Sequence, residues 1–137
     1  HLFDPYSFTH ILHGIALFGI TFLLFRGFSR NFRFNIALGL EAIWEIVENT
    51  SFVIERYRSE TAILNYTGDS IANSLSDILC CAAGFWIASQ IGFRGSAIVF
   101  IIIEVVLLLL IRDNLTLNII MLFHPFESIK EWQLQPI

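Results

Sequence analysis

The side chains able to do chemistry in this chain stand inside its most apolar stretches. His10 and His13 are i, i+3 neighbours early in a greasy run, and Glu41, Glu45 and Glu48 step through the segment EAIWEIVENT. Asp69, Asn73 and Asp77 follow at i, i+4, i+8 spacing, and Arg112-Asp113 closes a long aliphatic run. At 100° per residue the three glutamates fall within roughly 60° of one another, and the Asp69, Asn73, Asp77 set within about 80°. Each set is therefore a stripe on one helix face. A carboxylate at the centre of a bilayer costs on the order of 3 kcal/mol, so such stripes must face inward, toward the histidines and one another.

Two chemistries suit this inventory. His10 and His13 as nitrogen ligands, with Glu45 and Asp77 as oxygen ligands, form a set for a divalent metal. Without metal, Glu45, Glu48, Asp77 and His13 are the candidate catalytic groups, because close carboxylates push their pKa values apart and leave one as acid, another as base. Asp69, Asn73, Arg112 and Asp113 complete the polar cluster, for substrate or for structure. No His-Glu-x-x-His motif is present, so the metal reading rests on composition alone. The plainer account is helix glue, yet polar pairs between membrane helices are worth only about 0.6 kcal/mol each. Glu104, alone among isoleucines and valines, fits either a bond to a neighbouring helix or the cluster. Glu41 and Glu104 are the groups left for the other half of the membrane, so a continuous ion path is hard to draw.

The elements that must position these groups follow from composition. Of 137 residues, 55% are apolar and only 15% charged, with a mean hydropathy of +0.69. A soluble domain of this size carries about a quarter of its residues charged. The expected class is all-α, a polytopic membrane protein of one domain over 1–137, built of four transmembrane helices. A spanning helix needs about 20 apolar residues, which places the spans near 7–25, 34–54, 69–91 and 97–111. A shorter run over 115–123 reads as an interfacial or re-entrant helix, with Trp132 in the tail as an interface anchor. The net charge of −4 excludes a nucleic-acid partner, which would require a basic stripe. Cys80 and Cys81 are adjacent, so a bridge between them would be strained, and they read as buried structural residues. Gly84 sits on a small-residue face suited to close helix packing.

Antiparallel threading of four spans brings His10, His13, Glu45, Glu48, Asp69, Asn73, Asp77, Arg112 and Asp113 into one half of the membrane. Arg26, Arg30, Arg33 and Arg94 lie in the first and third loops, against Arg56 and Arg58 in the second, a solvated loop that also holds Glu55 and Glu60. The positive-inside tendency then makes the shared half periplasmic and puts the N-terminus of this chain outside the inner membrane. Besides the bilayer, the implied partner is a lipid or lipid-linked envelope substrate reaching the site sideways. The competing reading is a non-catalytic accessory or assembly subunit of a larger membrane complex.

Several long motifs carry a resemblance. His1-Leu2-Phe3-Asp4 with Tyr6 to Gly14, Trp44 to Thr50, Ile54 to Arg58, Gly68-Asp69-Ser70, Asn73 to Leu79 and Ile111 to Met121 resemble a family of uncharacterised alphaproteobacterial inner-membrane proteins. The resemblance covers nearly the whole chain and implies no activity. Asp4-Pro5-Tyr6 departs from that family's usual Asp-Trp-Tyr. Family members usually have another hydrophobic segment ahead of this stretch, which implies that an N-terminal part precedes His1, itself not a methionine. A looser likeness is to the VanZ-like membrane proteins, through Asp4 or His10, Glu45 or Glu48, and Asp69, Asn73 and Asp77. That likeness implies a cell-envelope setting, not a reaction.

Overall fold

Residues 3 to 137 are described by the structure, a computed structural model. His1 and Leu2, which open the N-terminal motif, lie outside the described residues. Among those described there are six helices and no strand: α1 Ser7–Leu24, α2 Arg30–Glu48, α3 Ser51–Glu60, α4 Ile71–Ile111, α5 Leu115–Phe123 and α6 Glu127–Leu134. Polar residues punctuate the apolar sequence at the helix starts. Ser29, Ser70 and Asn114 each accept a backbone N–H three residues on, at 3.1, 3.1 and 2.8 Å. Thr50 does the same for Val53. Such caps satisfy donors that the first helical turn leaves without partners.

The expectation of four transmembrane helices is overturned. Only α1 and α4 are long and apolar enough to cross a membrane. The second expected span fails because Arg30, Arg33, Glu41, Glu45 and Glu48 all lie in α2, and because Asn49-Thr50 ends it well before Ile54. Arg56 and Arg58, expected in a solvated loop, are helical residues of α3. The third and fourth expected spans belong to one 41-residue helix, interrupted where Gly92 adopts φ 79°, ψ 176°. That left-handed, extended conformation is open to glycine and strained for other residues. Each arm of α4 then takes its own direction against α1. Asp77 lies beside His10 and Phe85 beside Phe18, so the first arm runs parallel to α1. Phe93 lies beside Phe22, and Asp113, just past the second arm, bonds Tyr6, so that arm runs back.

Close backbone approach lets α1 and the first arm of α4 meet. A Cβ built on Gly14 would collide with the Cys81 carbonyl oxygen and lie 2.6 Å from Phe85 N; one on Gly84 would collide with the Ile11 carbonyl oxygen. Around this contact Leu12, Ile15, Phe18, Ala37, Phe85 and Ala88 form the core. Cys81 is buried here and both cysteines are free. A second, smaller cluster of Val53, Tyr57 and Leu122, with Trp44 and Tyr66 against it, joins α3 to α5. Outside, the large side chains are overwhelmingly apolar: Ile71, Leu79, Trp86, Ile102 and Leu109 are each more than half exposed.

Candidate functional site

A cleft of about 810 Å³ opens between α1, α2, α3, α5 and the start of α4. Its size is that of a small-molecule site. The hydrogen-bonding groups gather at its floor. α1 contributes His10 and His13, whose rings meet edge-on at 4.9 Å. α2 runs antiparallel to α1 and sets its glutamate stripe opposite them. Glu41 Oε1 accepts from His10 Nδ1 at 2.7 Å, and Glu41 Oε2 from His13 Nδ1 at 2.9 Å. With both Nδ1 atoms so engaged, Nε2 of each ring is left for another partner, and His10 Nε2 lies 3.6 Å from Asp77 Oδ2. Asn73, one turn before Asp77 on α4, donates to its Oδ2 at 3.1 Å.

Glu45 has the most exceptional position. It is 4% exposed, and neither of its carboxylate oxygens has a hydrogen-bond partner. Its nearest charged neighbour is His10 Nδ1 at 3.5 Å, which is already bound to Glu41. A buried polar group without a partner carries its full desolvation cost. Three sets of donors have ligand atoms all within 4.8 Å of one another: His10, His13 and Glu41; His10, Glu45 and Glu48; and Glu45, Asp69 and Asp77. The first set is satisfied internally by hydrogen bonds. The other two share Glu45, so their unmet valence converges there. Donors around an ion held at about 2.1 Å sit roughly 3.0–3.4 Å apart, close to the 3.6 Å between Asp77 Oδ2 and His10 Nε2, the ring nitrogen that Glu41 leaves open.

Tyrosines hold the remaining carboxylates. Tyr57 hydroxyl contacts Glu48 Oε1 at 3.1 Å and Asn118 Oδ1 at 3.0 Å, while Tyr66 donates to Asp69 Oδ2 at 3.0 Å. Burial, and then the neighbouring charge of Glu48, raise both phenols, so they stay neutral donors. The Asp69 amide in turn donates to Asn49 Oδ1 at 2.6 Å, which fixes the loop ahead of α4. Toward the middle of α1 the cleft wall becomes apolar, through Ala16, Leu17, Ile20 and Leu40.

His10, His13, Glu45, Glu48, Asp69, Asn73 and Asp77 are thus brought together. Arg112 is not. Its Nη1 donates to the carbonyls of Trp132 and Gln135, both at 3.1 Å, and its guanidinium lies 5.7 Å from the Trp132 ring centre. It secures the C-terminal tail because its backbone leaves α4 in a left-handed turn, φ 52°. Asp113 stands beside the cluster, accepting from Tyr6 at 3.1 Å, Asn114 N at 2.9 Å and Gln133 at 3.2 Å. Glu104 caps α5, its two oxygens accepting from Leu115 N at 2.8 Å and Thr116 N at 3.1 Å.

Glu41 is the residue that sequence reasoning misplaced, assigning it to the opposite half of the membrane. Because α2 stops at Glu48, Glu41 lies only seven residues, about 10 Å, from the helix end, level with His13. The signal was its i, i+4 relation to Glu45. Tyr57, Tyr66 and Asn118 were missed because their own segments carry no pattern; only packing of α3 and α5 brings them in.

The chain has relatives by sequence. A family described as proteins of unknown function, DUF2585, matches residues 1–135. A UPF0314 protein of Brucella anthropi is 44% identical over 97% of this chain and 68% of its own. One from Sinorhizobium fredii is 45% identical with the same coverage, and one from Sphingopyxis alaskensis 43% over 95% of this chain and 69% of its own. No solved structure matches. These matches give no support to the looser VanZ-like likeness. With nearly its whole length matched by that family and by alphaproteobacterial relatives, the chain belongs to the DUF2585 family.

Proposed function

We propose that this is an integral inner-membrane protein whose cleft binds a divalent cation at Glu45, Asp77 and His10 and uses it on a lipid or lipid-linked substrate. The observation that carries this reading is Glu45: both oxygens buried and unbonded, at the junction of two donor sets. One imidazole with several carboxylates suits zinc, manganese or iron better than calcium or magnesium. A metal held there would supply Lewis acidity, to polarise a substrate oxygen or activate water. His13, oriented by Glu41 and facing the cleft, would take up the proton. The exposed aliphatic faces of α4 suit lipid, and apolar patches this broad do not normally face water. The arginines at Arg26, Arg30 and Arg33 favour a cytoplasmic turn between α1 and α2, with the cleft toward the periplasm.

Metal content of the detergent-purified protein tests the reading. One equivalent of a transition metal is expected, falling at least about tenfold in Glu45→Gln, since losing one ligand costs a metal site that much or more. Absence of metal from the wild-type protein, after purification without chelator and reconstitution with zinc, manganese and iron, would overturn it. The accessory-subunit reading draws on the same broad apolar faces of α4. Co-purification in fixed stoichiometry with foreign membrane subunits, together with a metal-free Glu45, would favour it.

A further inference from the structure

The cleft is polar at one end and apolar at the other, and its charge is predominantly negative. Asp4, Glu41, Glu48, Asp69 and Asp77 line it, whereas no lysine or arginine does. Glu41 is neutralised by its two histidines; Glu48 and Asp69 have only tyrosine hydroxyls as side-chain donors. One further oxygen, Glu48 Oε2, is buried with no partner. Behind it stands Glu45, nine-tenths buried and equally unbonded, with ligand atoms within 4.8 Å of those of Glu48. Beside this acid pair are aromatic rings. Tyr57 and Tyr66 meet edge-on at 5.1 Å, and Trp44 packs against the same cluster. Aromatic walls with adjacent carboxylates are the chemistry that recognises an alkylammonium group. A bare phosphate would find no lysine or arginine here, and both histidines are engaged by Glu41.

The apolar wall continues from this point. His13, Ala16, Leu17 and Ile20 all line the cleft along α1, with Leu40 opposite on α2, a track of about 10 Å from His13 to Ile20 at 1.5 Å per residue. Polar floor and apolar track thus form one continuous space, open to an amphiphile and wrong for a small hydrophilic ion pair.

We infer that the cleft selects an amphiphile with an ammonium headgroup, seated among Glu48, Asp69, Tyr57, Tyr66 and Trp44, with its chain along Ala16, Leu17, Ile20 and Leu40. This rests on the reading of the cleft as the functional site of a membrane protein, and it names the ligand class that the site admits. It does not depend on the metal: the headgroup is met by Glu48, Asp69 and the aromatic rings, whereas the proposed cation would be held by Glu45, Asp77 and His10.

The test uses the detergent-purified chain and three phospholipids with identical acyl chains, bearing ethanolamine, choline or glycerol headgroups, read by native mass spectrometry. Retention of the ethanolamine or choline lipid at least about tenfold over the glycerol lipid is expected, from one desolvated cation–aromatic contact reinforced by charge. Glu48→Gln and Tyr66→Phe should each lower that preference while helical content by circular dichroism is kept. Equal or better retention of the glycerol lipid would overturn the inference, as would a preference that disappears on chelation and returns with metal, since the discrimination would then be the metal's and not that of the acid and aromatic walls. A preference that survives in protein shown to bind no metal would uphold this inference while removing the metal reading.

Discussion

Asp113 shows how burial sets a single residue's behaviour. It is 6% exposed, beyond the end of α4, and burial raises its carboxyl to about 6 despite the hydrogen bonds from Asn114, Tyr6 and Gln133 that oppose the shift. The folded protein therefore holds a proton that the unfolded chain, titrating near 3.8, has released. Stability contributed by this group is present below about pH 4 and is lost as pH rises toward 6. A shift of about two units corresponds to about 3 kcal/mol at most. Asp113→Asn removes the titration, so its thermal midpoint relative to wild type is expected to improve steadily between pH 4 and 6.5. Parallel pH curves for the two proteins would show that Asp113 does not carry this linkage.

Among the elements, α5 depends most on a single distant side chain. Nine residues do not make a stable isolated helix, and the N-terminal amides of α5 are met by Asn114 and by both oxygens of Glu104 from the second arm of α4. Glu104→Ala leaves two amides of a partly buried terminus unbonded and is expected to cost about 2 kcal/mol. Glu104→Gln, which keeps one acceptor oxygen, should lose about half of that. Thermal unfolding in detergent measures the global effect, and limited proteolysis between residues 115 and 123 reads the local one. Unchanged unfolding in Glu104→Ala would assign the glutamate to something other than capping. The opposite constraint operates where α1 meets α4: Gly84→Leu must push apart backbones already in contact at Ile11, and overpacking of that kind costs about 1–3 kcal/mol or more.

Over the whole molecule, the distribution of apolar surface decides where the chain resides. α4 is 17% buried over its most apolar stretch, against 44% for α1, so most of its isoleucine and leucine surface has no cover within this chain. An alkaline carbonate wash of membranes is expected to leave the protein in the pellet, because burial of a spanning helix in lipid is effectively irreversible, unlike interfacial attachment. Release into the supernatant would mean that the apolar helices do not cross the bilayer.

What the amino-acid sequence determined was composition and periodicity: an all-helical chain, apolar stretches in register with α1 and α4, and stripes that place Glu45 with Glu48 and Asn73 with Asp77 on common faces. These are local properties, legible because a helix repeats every 3.6 residues. Membership of the family was legible as well, in motifs spread along the chain. The tertiary structure alone decided the number of apolar helices long enough to cross, since that turns on where Asn49-Thr50 ends α2 and on one backbone angle at Gly92. It decided that Glu41 belongs to both histidines, and that Arg112 turns away to the tail while Tyr57 and Tyr66 turn in. Those outcomes depend on which faces of separate helices meet, and contact between residues far apart in sequence leaves no periodic trace. The carboxylate of Glu45 is of the same kind: a glutamate in a stripe is visible in the sequence, but its burial without a well-formed hydrogen bond exists only once the helices have packed.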